Sequence, residues 1–397
     1  MSVTPALAPL EAMPGAMTSH GPPDLGLVMG GGGARAAYQV GFLRCLARRF
    51  PELHLPYITG VSAGAINAAM LASHHGTFIQ AVAELSHLWS DLTVQDVFRV
   101  DARSLAANSV RWLRQLGSGG IGQARSQVRG FVDTQPLRSF LTDALHAVDG
   151  ELTGVQYNID RGRLKALAIS TTSYSTGDSL TWLQGSSVEE RERPKRLNRK
   201  ATISVEHIMA SAALPLLFPA VRLGNSWYGD GGIRLTSPLS PVLQMGARRV
   251  LAISTRYEKS PQENEEPIVH GYPPPAQVAG VLLNSVFLDL LDNDALRLER
   301  LNQLLRNVPE EHRGGLDQVR LLVLRPSQDL GKLASQFEAQ LPRSFRFLTR
   351  GLGTRETKSP DILSLILFQP DYLRTLMEIG ETDAEARAEE VAEFLMA

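Results

Sequence analysis

Two strand–glycine–helix units near the start of the chain limit the folds that it can adopt. The first consists of the apolar run Leu25–Met29, four consecutive glycines at residues 30–33 and a helical pattern over residues 34–46. The second repeats this order over residues 57–73. Units of this kind align parallel strands in one sheet and place helices on its faces. The sequence therefore predicts an α/β protein with a mostly parallel central sheet.

Further strands and helical segments follow along the chain. Residues 189–200 hold six basic and three acidic residues, which predicts a solvated loop. The remaining elements are assigned from the periodicity of their apolar residues. Strands are predicted at residues 164–172, 180–183, 249–255 and 319–325, and helices at residues 277–306, 362–379 and 384–396.

Composition excludes several classes of protein. The 40 basic and 41 acidic side chains nearly cancel, so no overall attraction to nucleic acid is expected. Cys45 is the only cysteine, which rules out an internal disulfide and a cysteine-ligated metal cluster and fits a reducing compartment. No run approaches the roughly 20 apolar residues that a membrane-spanning helix needs. Residues 1–23 hold five prolines and no Lys or Arg, which predicts a disordered leader rather than a secretory signal.

A serine flanked by glycines is the clearest chemical motif. Residues 60–64 read GVSAG and lie between a short strand and a helix rich in small residues. A sharp strand-to-helix turn of this form exposes a serine hydroxyl beside the unpaired N–H groups of the helix start. Ser62 is therefore a candidate nucleophile, and the alternative is a turn serine that only caps the helix.

The four glycines at residues 30–33 form a second candidate site. Consecutive glycines leave N–H groups uncovered, which suits a phosphate or the oxyanion of a tetrahedral intermediate. A P-loop is excluded because no Gly-Lys-Ser/Thr follows. A dinucleotide site would need an acid at the end of the second strand, whereas Glu52 comes before that strand. A turn used only for strand–helix packing stays an alternative.

Asp230 opens the third motif, DGG at residues 230–232. Alone, an Asp-Gly pair is a common hairpin turn. A serine nucleophile needs a base, however, and histidine is the usual one. Beyond Asp230 the sequence has only His270, in a proline-rich segment, and His312, in a polar turn, and neither follows a convincing late core strand. We therefore expect a carboxylate to act directly as the base.

Together these motifs resemble those of the patatin-like phospholipase family, and in particular its bacterial members. The family combines a glycine-rich loop, GxSxG and a late DGA or DGG, which stand here as GGGARA at residues 31–36, GVSAG at 60–64 and DGG at 230–232. The segment MASAALPLLFP at residues 209–219 is similar to the family's approach to the last motif. Ala36 departs from the pattern, in which glycine is usual. Because Ala36 begins a helical run, we expect the alanine to be harmless.

The resemblance covers about residues 25–250 and implies a three-layer α/β/α fold with a Ser–Asp dyad that needs no metal or cofactor. Ser62 would be the nucleophile and Asp230 the general base. Arg35 would hold the glycine loop or meet a phosphate, and the alternative is a surface ion pair. The oxyanion hole would be formed by the N–H groups of Gly31, Gly32 and Gly33, and the motifs would be supported by Gly60, Gly64, Gly231 and Gly232.

Three regions follow from these motifs. Residues 1–23 form the leader, residues 24–256 the catalytic domain, and residues 257–397 a mainly helical C-terminal extension that contributes one further strand. The resemblance implies lipid ester substrates. We expect a cytoplasmic protein that reaches lipid at an interface by peripheral contact. The basic, amphipathic segment 343–350 is the candidate for that contact, and an ordinary helix packed on the core is the alternative.

Two other functions fit the same motifs. One is a different acyl hydrolase on this scaffold, either a thioesterase or an esterase for small esters. The other is a catalytically silent protein whose glycine loop binds a lipid or nucleotide phosphate. Reaction of Ser62 with a fluorophosphonate separates the silent protein from the hydrolases. A comparison of acyl chain lengths and head groups separates the hydrolases from one another.

Overall fold

The computed structural model describes residues 7–99, 132–186, 192–260, 275–287, 290–341 and 361–396, together with residues 130, 188–190 and 263. The strands are β1 (Leu25–Met29), β2 (Tyr57–Val61), β3 (Ala166–Ser173), β4 (Ser179–Gly185), β5 (Glu192–Arg193), β6 (Arg196–Lys200), β7 (Val221–Leu223), β8 (Ser226–Asp230), β9 (Arg249–Ile253) and β10 (Arg320–Leu324).

The helices lie between and after these strands. They are α1 (Ala37–Arg49), α2 (Ala63–Ser73), α3 (Phe78–Asp91), α4 (Val94–Val97), α5 (Gln135–Ala144), α6 (Thr153–Asp160), α7 (Val205–Ser211), α8 (Ser240–Met245), α9 (Pro275–Phe287), α10 (Leu290–Arg306), α11 (Leu330–Ala334), α12 (Asp361–Ile366), α13 (Pro370–Ala386) and α14 (Ala388–Met396). Short 3-10 turns lie at Gly33–Ala36, Gly231–Ile233, Glu310–His312 and Ser335–Gln340.

All of these strands belong to one sheet. Its main order is β10–β9–β1–β2–β3–β4–β6–β5, and the pairs from β10 to β3 are parallel. The other two strands, β7 and β8, form a hairpin whose second strand pairs antiparallel with β3. One edge of β3 therefore contacts β4, and the other is shared by β2 and, beyond the end of β2, by β8.

Helices cover both faces of this sheet. β1 is buried along its whole length, as expected for a central parallel strand. Its neighbouring residues point to opposite faces, so that Leu27 packs in a core with α1, α2 and α3, whereas Val28 packs in a second core with α8 and α10. The predicted three-layer α/β/α arrangement with a mostly parallel sheet is thus confirmed.

The segment before β1 runs along the end of α1. Met13 N donates to Arg48 O at 2.9 Å, and Met17 N donates to Arg49 O at 2.8 Å. Further along, His20 O accepts from the backbone N–H of residue 54. These contacts differ from the predicted disorder of residues 7–23, because the last turn of α1 offers free carbonyl groups that an extended segment can satisfy.

Residues 192–200 are also more ordered than the predicted solvated loop. They form β5 and β6, and β6 pairs parallel with β4 at the border of the sheet. Strands at a sheet edge commonly carry charged side chains because much of their surface faces water. Their charge pattern therefore resembles that of a loop, and the prediction for these residues is wrong.

The predicted helix over residues 362–379 is divided into α12 and α13. Pro370 occupies the first turn of α13, where its missing N–H costs nothing. The Gln369 side chain caps this helix by accepting from the backbone N–H of Asp371 at 2.8 Å. A proline cannot continue the preceding helix, so the chain turns at this point.

Two glycines allow α1 and α13 to cross at close range. A Cβ on Gly41 would lie 1.9 Å from Met377 O, and one on Gly380 would lie 2.2 Å from Tyr38 O.

We expect Gly41→Ala to lower the free energy of unfolding by about 2 kcal/mol. The backbone atoms of α13 cannot move aside, and the cost of this clash exceeds the gain in helix propensity. Denaturant unfolding measures the change, and an unaltered midpoint would contradict the close crossing.

Candidate active site

Ser62 lies in a sharp turn between β2 and α2. Its backbone has a φ of 56° and a ψ of −134°, a region that residues other than glycine seldom adopt. The flanking glycines permit this turn, since a Cβ on Gly60 would lie 2.5 Å from Gly64 O and one on Gly64 would lie 2.4 Å from Gly30 O. In the described part of the chain, the Ser62 side chain makes no capping hydrogen bond to α2. The helix-cap alternative is therefore disfavoured, and the hydroxyl is left for another role.

A chain of hydrogen bonds fixes the backbone of this turn. Ser62 N donates to Ser211 Oγ at 3.0 Å, and Ser211 Oγ donates to Ser170 O at 2.7 Å. The serine of α7 thereby ties the turn to β3. Ser211 lies in the MASAALPLLFP segment, but the sequence does not reveal this role, because a single sequence does not show which backbone group a buried hydroxyl meets.

Pairing along β3 explains why Ser62 and Asp230 meet. Val61, the last residue of β2, pairs with Ser170. Asp230, the last residue of β8, pairs with Thr171 on the same edge of β3. Because β2 runs parallel and β8 antiparallel to β3, the two strands end facing each other at neighbouring positions, about 3.3 Å apart along β3. Ser62 directly follows β2, so the structure brings together the serine and the aspartate that the sequence analysis had singled out.

The Asp230 carboxyl is completely buried. Oδ1 accepts from Gly232 N at 2.9 Å, while Oδ2 has no partner of ordinary hydrogen-bond geometry among the described residues. Burial raises the pKa of this carboxyl to about 7, and hydrogen bonding from the Ser62 hydroxyl and from Gly232 N offsets part of that increase. Catalytic hydrogen bonds are often long in a free enzyme and shorten when substrate binds. The site therefore holds a carboxylate whose basicity is well above that of an exposed aspartate.

The glycine loop lies directly beside this pair. A Cβ on Gly31 would be 3.0 Å from Ser62 Cβ, a tight contact that glycine avoids while the loop backbone lies this close to the serine. Gly32 and Gly33 both have positive φ values, 151° and 54°. No described residue accepts a hydrogen bond from the N–H of Gly31 or Gly32. These two donors are free to bind an anion close to the Ser62 hydroxyl.

Ala36, the departure from the family motif, adopts an ordinary helical conformation. Its φ is −65° and its ψ is −14°, at the junction of the 3-10 turn and α1. An L-residue occupies this region without strain. The helical conformation on which the expectation of a harmless alanine depends is therefore present.

Arg35 is buried rather than exposed at the surface. Its Nη2 lies 2.6 Å from Asp361 Oδ1, and its Nε donates to Ser364 Oγ at 2.7 Å. The predicted alternative of a surface ion pair is wrong, because α12 covers this side of the glycine loop. A phosphate could reach the guanidinium at these positions only by displacing Asp361.

Polar side chains behind the loop were not found by sequence analysis. Gln39 Nε2 donates to Gly30 O at 2.9 Å, and Asn67 Nδ2 donates to Gln39 Oε1 at 2.9 Å. Trp89 Nε1 donates to Asn67 Oδ1 at 2.7 Å. This buried network supports the start of the loop from α1, α2 and α3, and the sequence offers no local pattern that reveals it.

An apolar cavity begins at Ser62. Its volume is about 30 Å³, and its walls include Ile66, Trp89, Leu137 and Phe368. A cavity needs roughly 10–15 Å³ for each water that it holds, so this one is narrow. Its apolar walls suit a hydrocarbon group attached to a carbonyl carbon at Ser62.

The two late histidines and the basic segment lie away from Ser62 in the sequence. His312 lies in an exposed 3-10 turn, whereas His270 and the basic segment 343–350 lie outside the described residues. Within the described ranges, clusters of three or more metal-ligating side chains are absent. The helices that the structure describes are also too short or too polar to cross a bilayer.

Comparisons with known proteins point to one family. A family model for patatin-like phospholipases matches residues 27–243, more than half of the chain. No curated protein matches the sequence.

Among solved structures, human GIVD cytosolic phospholipase A2 in complex with methyl gamma-linolenyl fluorophosphonate is similar at a TM-score of 0.42 and 14% identity, covering 94% of this chain and 58% of that one. VipD from Legionella pneumophila is similar at a TM-score of 0.33 and 14% identity, covering 94% and 75%. A chain of the ExoU–SpcU complex from the type III secretion system of Pseudomonas aeruginosa is similar at 0.29 and 16% identity, covering 94% and 76%. The chain thus spans 58% of the length of the human protein.

Proposed function

The chain belongs to the patatin-like phospholipase family, and we propose that it hydrolyses carboxylic ester bonds of lipids with Ser62 as nucleophile and Asp230 as general base. One observation carries this proposal: a fully buried carboxyl lies beside a serine hydroxyl that is held in a strained turn. Burying an ionisable group and straining a backbone both cost stability. A serine that only caps a helix, or a loop that only binds phosphate, requires neither cost.

The reaction proceeds through an acyl-enzyme. Ser62 Oγ attacks the ester carbonyl carbon while its proton passes to Asp230, and the glycine-loop N–H groups stabilise the oxyanion. As the bond to the leaving alcohol breaks, Asp230 returns the proton to the alcohol oxygen. Water then gives a proton to Asp230 and attacks the acyl carbon. When the bond to Ser62 breaks, that proton returns to Ser62 Oγ and the carboxylic acid leaves.

The raised pKa of Asp230 answers the main chemical objection to this mechanism. An ordinary aspartate has a pKa near 3.9 and is a weak base toward an alcohol. With a pKa of about 7, the Asp230 carboxylate holds a proton far better and is still ionised in a large fraction of molecules at neutral pH. A base is most effective when its pKa lies near the working pH.

The cavity beside Ser62 would receive the acyl chain. Its present volume of about 30 Å³ is too small for a long chain, so lining side chains such as Phe218 and Leu214 must turn aside when a phospholipid or lysophospholipid binds. Leu216, between these two residues, is 71% exposed and is well placed for peripheral contact with a lipid surface. The narrow cavity also makes an esterase for short acyl esters the second candidate.

Covalent labelling tests the proposal most directly. We expect a fluorophosphonate to modify the full chain once, with the adduct at Ser62 identified by peptide mass spectrometry. The Ser86→Ala variant is a suitable control because Ser86 is also buried but donates to Val82 O within α3 at 2.6 Å. This control should react as fast as the wild type. An unmodified protein, or an adduct at another serine, would contradict the assignment.

A substrate panel then separates the hydrolase alternatives. Phosphatidylcholine, lysophosphatidylcholine, an acyl thioester and nitrophenyl esters of four and sixteen carbons are compared by kcat/KM. A phospholipase favours the long-chain lipids, whereas an esterase for small esters favours the four-carbon substrate. Preference for the thioester supports the thioesterase.

A further inference from the structure

The C-terminal extension reaches the glycine loop through α12. The buried Arg35 guanidinium donates to Asp361 Oδ1 at 2.6 Å and to Ser364 Oγ at 2.7 Å. The Ser364 hydroxyl donates in turn to Asp361 O at 2.6 Å. One arginine is thus held at two points by a single short helix, and this helix lies beyond residues 27–243, the segment matched by the family model.

The same helix touches the loop directly at Gly33. A Cβ on Gly33 would lie 2.0 Å from Leu365 O. On the other side of the loop, Thr255 Oγ1 donates to Gly31 O at 2.7 Å. A Cβ on Gly32 would lie 2.5 Å from the same Thr255 Oγ1. The loop is therefore enclosed between Thr255 and α12. The contact with α12 includes the ion pair of Arg35 with Asp361, whereas the contact with Thr255 is a neutral hydrogen bond.

We propose that Asp361 and Ser364 are positioning residues, which act through Arg35 to hold the glycine-loop N–H groups where the oxyanion forms. This inference rests on the proposed function, because it requires an oxyanion to be stabilised. The backbone supplies the link: Arg35 N donates to Gly32 O at 3.0 Å, so a displaced arginine displaces the loop. A displacement of about 1 Å at a catalytic group can cost about 10²-fold in rate.

The burial of the ion pair makes its removal consequential. The side chains of Arg35 and Asp361 are only 5% and 16% exposed. Removing one partner of such a pair leaves a charge in a place where water cannot compensate it. Without the Asp361 carboxylate, the guanidinium keeps only the neutral Ser364 hydroxyl on α12 as an acceptor, so one of its two anchoring contacts is lost.

Glu381 provides a matched control. Its pair with Arg44 joins α1, which follows the turn that holds Arg35, to the C-terminal extension, and the two side chains are 5% and 19% exposed. A second arginine that contacts Glu381, Arg48, lies in the last turn of α1, remote from the glycine loop. The two ion pairs therefore match in burial and both anchor the C-terminal extension, but only the Arg35 pair contacts the glycine loop.

The experiment compares Asp361→Asn with Glu381→Gln in the full chain, using a water-soluble nitrophenyl ester. We expect Asp361→Asn to lower kcat about 30- to 100-fold while KM changes by less than about threefold. Glu381→Gln should change kcat by less than about twofold at a comparable decrease in unfolding temperature. Asp361→Glu, which keeps the carboxylate, should recover part of the lost kcat.

A second variant covers the case in which Asp361→Asn does not fold. Ser364→Ala leaves the ion pair in place and is expected to lower kcat about fivefold, since one of the two contacts is lost. The positioning role is overturned if the variants of α12 hydrolyse the ester as fast as the wild type, or if they lose no more kcat than Glu381→Gln. In that case, ester hydrolysis by the wild type still supports the proposed function. If the wild type neither hydrolyses the ester nor reacts with a fluorophosphonate, the proposed function fails and the positioning role fails with it.

Discussion

Ester hydrolysis is expected to fall by at least about 10⁴-fold when Ser62 is replaced with alanine. The variant retains the glycine loop and Asp230 but has no atom that can form the acyl-enzyme. The remaining groups could only assist direct attack by water. Such residual catalysis is small because a serine nucleophile and its base act as a unit.

Stability measurements distinguish this loss from misfolding. Alanine accepts a φ of 56° no better than serine, so Ser62→Ala should keep the strain of the turn and unfold near the wild-type midpoint. Ser62→Gly removes the strain, so its free energy of unfolding should exceed that of the wild type by about 1 kcal/mol. This variant should be as inactive as Ser62→Ala. Hydrolysis by Ser62→Ala within tenfold of the wild-type rate would remove Ser62 from the mechanism.

Features encoded within a few neighbouring residues could be predicted from the sequence. β1, the glycine loop and the turn at Ser62 each combine an apolar run with glycines, and their local pattern determines their conformation. The meeting of Ser62 with Asp230 was expected only from the family resemblance. Its physical cause is that β2 and β8 end at adjacent positions on one edge of β3. Strand order of this kind is a property of the whole sheet and leaves no local signal.

Contacts made by polar side chains across the chain could not be predicted. Arg35 looked equally suited to a phosphate, a surface ion pair or the loop, because its partner Asp361 follows more than 300 residues later. Thr255 and Gln39 support the loop through backbone carbonyl groups, which every residue carries. Charge patterns were also misleading at β5 and β6, where a position at the border of the sheet rather than disorder explains the charged side chains.

Replacing Asp230 with asparagine is expected to lower hydrolysis by about 10³- to 10⁴-fold and, above neutral pH, to stabilise the folded protein. Asparagine retains the size of the side chain and an oxygen for Gly232 N but cannot accept the Ser62 proton. It also cannot ionise. The wild-type carboxyl does ionise, and it does so in a fully buried position.

The sign of the stability effect follows from the direction of the pKa shift. Burial raises the pKa of Asp230 from 3.8 to about 7, so the carboxyl is protonated in both the folded and the unfolded chain only when the pH is well below 3.8. Between about pH 4 and pH 7 the unfolded chain releases a proton that the folded chain keeps, and wild-type stability falls as pH rises. A shift of about three units corresponds to about 4 kcal/mol once the pH exceeds 7.

Denaturant unfolding of both proteins from pH 4 to pH 8.5 measures this difference. The stability of Asp230→Asn relative to the wild type should increase by up to about 4 kcal/mol over this range and then level off. Ser62→Ala, which keeps the carboxyl but loses the hydroxyl that lowers its pKa, serves as the control and should lose stability with rising pH at least as much as the wild type. Parallel curves for the wild type and Asp230→Asn would mean that Asp230 keeps an ordinary pKa in the folded chain. It would then lack the basicity that a serine nucleophile without a histidine partner requires.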